Sequence, residues 1–288
     1  MIDIMENNKY YIVEFCDSLK KEEKEKATIE KYERDIRKFL EHIGKACKSL
    51  EELTKENVIE YKESIIRKYE ISSINSMFAS VNRYLEFIKR EDCKVKKVRV
   101  QKRDFIEEEK CMSLKEAKKI IKIAKKQGKI RTKVMIETIC NTGIRVSELC
   151  EFTIKRIKKG VIEIYNKGKS RRIVLPKELQ DKLIRYAKDK RIKEGEIFIT
   201  KTGKRVDRSN FWREIKELCK EAGVELKKGY PHNFRHLFAR CYYEIDKDIV
   251  SLSAILGHSN IETTRIYTIS TYKKVMEKMK QMSRIFRE

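Results

Sequence analysis

Apolar residues recur at helical spacing through the first third of the chain. Between residues 8 and 90 they lie three or four positions apart in four successive runs, which is the period of one face of an α-helix. Gly44 ends the second and clearest run, which contains Ile29, Tyr32, Ile36, Phe39, Leu40 and Ile43. Thr54 is suited to cap the third helix. Four consecutive helices predict a small helical bundle.

The pattern changes in the second half of the chain. Residues 161–165 and 172–175 are rich in β-branched side chains and flank a polar turn, which predicts a β-hairpin. A third short strand is predicted at 196–199. Helices are predicted around these strands, and the only tryptophan, Trp212, is expected in the core of one of them. We therefore expect a mainly α-helical protein whose second domain is α+β, with a small three-stranded antiparallel sheet.

A stretch without helical period separates these two patterns and begins with a run of basic residues. The predicted organisation is a helical domain at 1–92, a basic linker at 93–110, and a second domain at 111–288 that ends in a tail helix. A basic linker is suited to run along a DNA backbone, which is a polyanion.

The charge balance points to a polyanionic partner. There are 69 Lys and Arg residues against 45 Asp and Glu, a formal net charge of +24. Nucleic acid and an anionic membrane surface both attract such a protein, and solubility alone is the other explanation. No apolar run approaches the roughly 18 residues that a membrane-spanning helix needs. The N-terminal residues do not resemble a signal peptide.

The eight cysteines are scattered and include no C-x-x-C pair. This spacing argues against a zinc site and against a secreted disulfide framework. We expect reduced thiols, no bound metal and a cytoplasmic location.

The chemistry-bearing residues concentrate near the end of the chain. Residues 231–268 contain three of the four histidines, together with Arg235 and Tyr267. Pro231 is suited to the first position of a helix, which places His232 and Arg235 on one face of its first turn. Free N–H groups there attract phosphate. Taken singly, each of these side chains is better explained as a capping or core-packed polar residue.

The order of these motifs resembles the tyrosine recombinases, the phage integrase family. The segment Asn141–Leu149 looks like the family's first-arginine motif, and Lys167 looks like its hairpin lysine. The pattern continues with His232-x-x-Arg235-His236, then Leu256-Gly257-His258-Ser259, and Tyr267 nine residues after His258. The helical bundle is similar to the family's SAM-like core-binding domain, and the chain is most like the compact Xer-type or transposon-type members.

The resemblance implies how a scissile phosphate would be held. Arg145 and Arg235 would grip the phosphate and neutralise charge in its pentacoordinate transition state. His258 would donate a hydrogen bond to a non-bridging oxygen. Read from the sequence alone, Arg145 is also explained by an ion pair with Glu148, three residues further on.

The resemblance also implies the covalent chemistry. Tyr267 would attack the phosphate and form a 3′-phosphotyrosyl link, and Lys167 would protonate the departing 5′ oxygen. His232 would assist proton transfer, with Tyr267 as its partner. Neither a metal nor ATP nor another cofactor is implied. A second tyrosine, Tyr272, lies five residues beyond Tyr267, but its spacing from His258 does not fit.

Further residues are predicted to contact DNA because amide and basic side chains suit phosphates and base edges. They are Asn75, Asn82 and Arg83 on the fourth helix, Lys97 and Lys102 in the linker, and Lys169 in the hairpin. A plain solvent-exposed face is the alternative for the fourth helix. The partners implied by the family are double-stranded DNA with specific sites and further copies of the chain, two per site and four per synapse. The tail helix would dock on a neighbouring copy or on its own domain.

We therefore expect a site-specific DNA recombinase or integrase. One alternative is a type IB topoisomerase, which shares the chemistry but relaxes any supercoiled DNA without a specific site. Another is a non-catalytic DNA-binding protein built on the same fold, which would form no covalent adduct. A basic RNA-binding or membrane-surface protein explains the charge but not the motifs.

Overall fold

A computed structural model describes residues 9–47, 49–99, 111–166, 169–200, 202–268 and 272–285. The chain divides into two compact units, Met1–Lys102 and Arg103–Glu288. Each unit has a hydrophobic core of its own, as expected of separately packed domains.

Within its described residues the first unit contains four α-helices, and the predicted bundle is confirmed. They are α1 (Lys9–Lys21), α2 (Lys26–Ile43), α3 (Lys55–Ile66) and α4 (Ile71–Phe87). Thr54 caps α3 as its position predicts. Its hydroxyl accepts a hydrogen bond from the Asn57 backbone amide at 3.4 Å, and the Asn57 side chain accepts one from the Thr54 amide at 3.0 Å.

The core of this bundle combines apolar side chains with one buried carboxylate. Ile36 and Phe39 of α2 are fully buried, and burial of side chains of this size stabilises the fold by about 1.5–3 kcal/mol each. Asp35 is also buried and accepts hydrogen bonds from Lys31 at 2.7 Å and from Ser80 at 3.0 Å. These bonds satisfy the carboxylate and join α2 to α4.

A short 3-10 helix, Glu91–Cys93, follows α4. Cys93 and Val95 belong to the core of the first unit, and Val98 packs against that core. The first residues of the predicted linker, 93–98, therefore lie on the first unit.

The second unit is mostly helical around a β-hairpin. Its first part contains α5 (Leu114–Lys126), α6 (Ile130–Thr142), a 3-10 helix (Val146–Glu151), α7 (Ile154–Lys159), β1 (Val161–Asn166), β2 (Lys169–Val174) and α8 (Lys177–Asp189). Its second part contains α9 (Arg208–Ala222), α10 (Pro231–Asp246), α11 (Ile249–Leu256), α12 (Glu262–Arg265) and α13 (Tyr272–Ile285). Helices α6 and α10 pack against each other and bring the two arginine motifs together.

The hairpin is confirmed, but the predicted third strand is wrong. Within the described residues the sheet has two strands, β1 and β2, paired antiparallel from Val161–Val174 to Asn166–Lys169. Residues 196–199 make only isolated bridges, Thr153 with Glu196 and Ile199 with Arg205. The chain opposite Glu196 turns into α7 at once, so no ladder of successive pairs forms there. Burial explains the apolar pattern that suggested a strand.

Trp212 is not in the core, contrary to the prediction, because its side chain is 47% exposed. Its neighbour Phe211 is fully buried, as are Ile215 and Leu218 further along α9. Successive residues on a helix are rotated by about 100°, so position 212 falls outside the buried face.

None of the described helices is long and apolar enough to cross a membrane. The same residues contain no group of three or more His, Cys, Asp or Glu side chains arranged to hold a metal ion.

Candidate active site

Arg235 is the centre of the site and is completely buried on α10. Its Nη1 donates to the Gly143 carbonyl at 2.7 Å, and its Nη2 donates to the Leu256 carbonyl at 2.7 Å. Both carbonyls lie at the C-terminal ends of helices, α6 and α11, where the helix dipole favours a cation. Burial, followed by the charge of Arg145, lowers the pKa of Arg235 to about 10. The guanidinium is therefore still charged at neutral pH, and it joins three segments that are far apart in sequence.

The first-arginine motif begins where α6 ends sharply at Gly143. Gly143 has φ +64°, and a Cβ there would lie 2.4 Å from the Phe238 ring, so no other residue fits without displacement. The chain then reaches Arg145, which precedes a 3-10 helix. The Arg145 amide donates to Glu148 Oε2 at 2.6 Å, and its Nη1 donates to Glu148 Oε1 at 3.1 Å. The ion pair inferred from the three-residue spacing is present.

Glu148 binds a second arginine that the sequence did not single out. Arg171, on β2, donates from Nη1 to Oε1 at 2.9 Å and from Nη2 to Oε2 at 2.6 Å. Burial alone would raise the pKa of Glu148, but the hydrogen bonds from Arg171 and from the Arg145 amide outweigh it and hold the pKa below its usual range. Two guanidinium groups, those of Arg145 and Arg171, thus share one carboxylate, and the excess positive charge suits an anion.

An open pocket of about 620 Å³ lies beside Arg145. Its lining residues include Arg145, His232, Arg208, Trp212 and Tyr230. Sequence reasoning missed Arg208 and misplaced Trp212, although Asp207 offered a signal. Asp207 caps α9 by accepting from the Ser209 and Asn210 amides at 2.8 and 3.1 Å, so the next residues had to begin a helix with an exposed first turn.

His258 is held in one protonation state by two neighbours. Arg235 Nη2 lies 3.1 Å from its Nε2, and an arginine can only donate, so Nε2 is the acceptor. The proton is therefore on Nδ1, which lies 2.8 Å from the Thr264 hydroxyl. Burial, then the charges of Arg235 and Arg145, lower the pKa of His258 to about 4. The histidine is neutral at pH 7 in this state.

Tyr267 is buried, with 7% of its surface exposed. Its hydroxyl lies 2.8 Å from Nδ1 of His236. Burial raises the pKa of the phenol to about 12, although the charge of Arg235 opposes this. In this state the hydroxyl is protonated at neutral pH and is shielded from solvent.

The histidine beside Tyr267 is not the one that the family resemblance implies. His232 was expected there, and the structure instead places His236, one helical turn further along α10 on the same face. The His232 ring meets the His236 ring edge-on, with centroids 4.4 Å apart. Burial, then the neighbouring His232 and Arg240, lower the pKa of His236 to about 3, so its imidazole is neutral. Burial and Arg235 also lower the pKa of His232.

The structure does not describe the side chains of three lysines predicted from the sequence. Lys167 and Lys102 lie outside the described residues, and Lys169 begins β2 without a described side chain. Their predicted roles in proton donation and DNA contact stay predictions.

Two asparagines expected to contact DNA make hydrogen bonds within the first unit. The Asn75 amide exchanges a pair of hydrogen bonds with the backbone of Val98, at 2.9 and 2.8 Å. Asn82 does the same with Val95, at 2.9 and 3.2 Å. The two residues are seven positions apart, two helical turns, so they hold an extended segment along α4.

Arg83 and Lys97, the basic residues near these asparagines, line a pocket that is open to solvent. Arg83 pairs with Glu22 and, at 3.3 Å, with Glu86. Arg83, Lys97, Asn82 and Glu22 all line a shallow pocket of about 520 Å³ on the first unit. Arg83 and Lys97 therefore remain predicted DNA contacts, whereas the amides of Asn75 and Asn82 are engaged elsewhere.

Comparison with protein-family models covers most of the chain. A model described as "Phage integrase family" matches residues 110–274, and one described as "Phage integrase, N-terminal SAM-like domain" matches residues 12–92.

Similar curated proteins carry recombinase names. The chain is 30% identical over 284 residues to tyrosine recombinase XerA of Pyrococcus horikoshii, covering 94% of this chain and 92% of that protein. It is 29% identical over 274 residues to XerA of Pyrococcus furiosus, covering 92% and 91%. A shorter match, 35% over 158 residues, is to tyrosine recombinase XerD of Oceanobacillus iheyensis, and it spans about half of each chain, 51% and 53%.

Solved structures share the fold. A crystal structure of XerA recombinase has 25% sequence identity and a TM-score of 0.52, covering 96% of this chain and 98% of that one. XerH site-specific recombinase bound to its difH substrate, a pre-cleavage complex, has a TM-score of 0.69 at 20% identity, covering 87% and 78%. A lambda integrase tetramer bound to a Holliday junction has a TM-score of 0.72 at 17% identity, covering 90% and 76%.

Proposed function

Because the chain belongs to the phage integrase family, we propose that it is a site-specific tyrosine recombinase that cleaves and rejoins DNA through Tyr267. The observation that carries this proposal is the meeting of three distant segments at Arg235. That residue binds the end of α6, just before Arg145, and also binds Leu256 and His258, which precede Tyr267. These contacts support a single site that contains the two arginines proposed to bind phosphate and the proposed nucleophile Tyr267.

The phosphate would be held by two arginines and one histidine. Arg145 and Arg235 carry positive charge at a site from which solvent is partly excluded, where they neutralise the charge that builds up on the pentacoordinate phosphorus. His258 is neutral in the present state, with Nε2 facing Arg235. A bound phosphate adds negative charge, which favours a protonated histidine and raises its pKa. We propose that His258 then donates to a non-bridging oxygen.

The reaction exchanges one phosphodiester bond for another. The Tyr267 oxygen forms a bond to phosphorus, the bond from phosphorus to the 5′ oxygen breaks, and that oxygen takes a proton from Lys167. The product is a 3′-phosphotyrosyl enzyme and a free 5′-hydroxyl. Attack by the 5′-hydroxyl of a partner strand reverses the chemistry and restores the tyrosine. The bond energy is conserved, so no ATP is required.

The tyrosine proton has a nearby acceptor. We assign it to His236, whose Nδ1 lies 2.8 Å from the Tyr267 hydroxyl. His236 is a weak base in the unbound state, but the approach of a phosphate raises its pKa for the same electrostatic reason. His232 faces the His236 ring and lines the arginine pocket, which leaves it suited to the phosphate side of the site.

The DNA partner and the assembly follow from the same premise. We propose that the first unit binds double-stranded DNA through basic residues such as Arg83 and Lys97, with two copies of the chain on each recombination site and four in a synapse. Helix α13 exposes Met276, Met279, Met282 and Ile285, the last with 72% exposure. Such an apolar stripe is suited to dock on a neighbouring copy. We propose a cytoplasmic location for the protein.

A nicked suicide substrate tests the function. Its DNA carries a site selected from random sequence, and a short 5′-hydroxyl fragment diffuses away after cleavage. We expect a covalent protein–DNA adduct with the unmodified chain and none with Tyr267→Phe. Tyr272→Phe is the matched control and should form the adduct. A chain that relaxes supercoiled plasmid without any selected site would instead be a topoisomerase, and one that forms no adduct would be a DNA-binding protein.

A further inference from the structure

Arg171 occupies a position where the sheet otherwise buries apolar side chains. It pairs across the hairpin with Ile164, so both side chains leave the sheet on the same face. Ile164 is 2% exposed, and Ile173 and Leu175, which follow on the same face of the strand, are 3% and 5% exposed. The Arg171 side chain is itself only 10% exposed. A charge in such a place needs a partner, because desolvation penalises an unpaired guanidinium.

That partner is Glu148, and the pair is tightly held. Two hydrogen bonds of 2.9 and 2.6 Å join the two guanidinium Nη atoms to the two carboxylate oxygens. On its other side Arg171 lies against Gly257, where an added Cβ would be 2.7 Å from Arg171 Cδ. The side chain therefore has little freedom to move. Both Nη atoms are directed at Glu148, so Arg171 is not itself placed to grip a phosphate.

The same carboxylate also binds Arg145, but less extensively. Only one side-chain hydrogen bond of 3.1 Å is described between the Arg145 guanidinium and Glu148; the shorter contact, 2.6 Å, comes from the Arg145 backbone amide. Two arginines thus compete for one negative charge, and Arg171 takes the larger share. Arg145 also lines the pocket that Arg208 and His232 line.

A buried carboxylate that loses one cationic partner turns more strongly to the other. Without Arg171, Glu148 would draw the Arg145 guanidinium into a full ion pair, and that pairing would compete with a phosphate. We propose that Arg171 is a positioning residue that occupies the Glu148 carboxylate and so leaves Arg145 available to the scissile phosphate. The inference rests on the proposed function of Arg145 and extends it to a residue on a different structural element.

The test compares Arg171→Gln with the double variant Arg171→Gln/Glu148→Gln. Both are measured by single-turnover formation of the covalent adduct on the nicked substrate, with protein in saturating excess, so that differences in DNA binding drop out. Arg172→Gln is the matched control, because Arg172 is adjacent but has a 77% exposed side chain that pairs with Glu163 on the outer face. Glu148→Gln alone completes a double-mutant cycle.

We expect Arg171→Gln to slow adduct formation by roughly 30- to 100-fold, since a misdirected Arg145 acts like the loss of one charge-stabilising donor. Removing the Glu148 charge as well should restore the rate to within about fivefold of Glu148→Gln alone. Arg172→Gln should match the unmodified chain. A double variant as slow as Arg171→Gln, or an Arg171→Gln variant that reacts at the unmodified rate, would overturn the proposal.

Thermal unfolding separates positioning from stability. If Glu148→Gln restores the melting temperature of Arg171→Gln but not its rate of adduct formation, the slow rate does not arise from the pull of Glu148 on Arg145 and the proposal is wrong. Failure of the proposed function has a different signature, because then the unmodified chain forms no adduct or Tyr267→Phe forms it equally well.

Discussion

The Nδ1 atom of His236 and the hydroxyl of Tyr267 are joined by a hydrogen bond of 2.8 Å. The bond connects α10 to the segment after α12 across 31 positions of sequence. It gives the proposed nucleophile a proton acceptor inside its own domain.

We expect His236→Gln to lower the single-turnover rate of adduct formation by about 10²-fold, because a general base contributes on that order. Binding to the selected DNA, measured by gel shift, should change by less than about threefold, since the neutral His236 imidazole contributes no charge to DNA binding. His232→Gln is the comparison, one turn away on the same helix. If only His232→Gln slowed adduct formation, His232 rather than His236 would be the proton acceptor.

Stability should fall as the pH drops below neutrality. The folded pKa values of His236, about 3, and His258, about 4, lie below the ordinary value of 6.5. The unfolded chain therefore binds protons in this window and the folded chain does not, so the free energy of unfolding decreases as the pH falls from about 7 towards 4. The slope contributed by His236 approaches about 1.4 kcal/mol per pH unit below 6.

Urea denaturation of the second unit, repeated at several pH values between 7.5 and 5.5, measures how the free energy of unfolding depends on pH. Most carboxylates remain ionised in this range. His236→Gln should flatten the pH dependence, because the buried titrating group is gone. An equally steep dependence in that variant would mean that His236 is protonated in the folded state.

Arg145→Ala and Arg235→Ala should differ in stability although both lose cleavage. Arg235 is fully buried and satisfies two helix-end carbonyls, so its removal should destabilise the fold by about 3 kcal/mol. Arg145 is partly exposed, with 31% of its side chain accessible, and its removal should cost less than about 1 kcal/mol. Chemical denaturation gives both values.

For Arg145→Ala we expect DNA affinity to be kept within about threefold, while adduct formation drops by about 10²–10³. An equal loss in the gel shift would mean that Arg145 serves binding rather than the transition state.

Gly143→Ala should destabilise the chain by about 2–4 kcal/mol, because it combines a left-handed backbone with a Cβ that meets the Phe238 ring. Gly195→Ala is the control: φ is also positive, +74°, but nothing lies within 4 Å of the added carbon. Backbone strain alone, about 1 kcal/mol, is expected there. Equal losses at the two positions, measured by chemical denaturation, would show that the Phe238 ring moves aside at no cost.

Lys97→Ala should weaken DNA binding to all sequences and lower the slope of log affinity against log salt by about one, as expected when one phosphate contact is lost. Asn82→Ala should leave that slope unchanged, because its amide binds the Val95 backbone. The measurement is a salt titration with selected and unrelated duplexes. A lower slope for Asn82→Ala would mean that Asn82 contacts a DNA phosphate after all.

Local signals in the sequence were sufficient for the helices and the hairpin. The signals were the capping residue Thr54, the apolar period of α2 and the polar turn between the two strands. Each depends on neighbours only a few positions away, so it can be recognised without the fold. The third strand was wrong because consecutive buried residues such as Ile197 and Phe198 look the same whether they pair in a ladder or merely fill a core.

By itself, the sequence determined which side chains carry chemistry and in what order. These residues can be recognised from their identities and their spacing alone: Arg145, Lys167, His232, Arg235, His258 and Tyr267. The tertiary structure decided which of the described ones touch. Helices α6, α10 and α11 bring residues as distant as Gly143, Arg235 and Leu256 to within a hydrogen bond. That packing also placed His236 rather than His232 beside Tyr267, and Arg171 beside Glu148. Contacts of this kind depend on the rotation and depth of each helix and strand in the core, which are set by the sum of many packed side chains and not by any local run of residues.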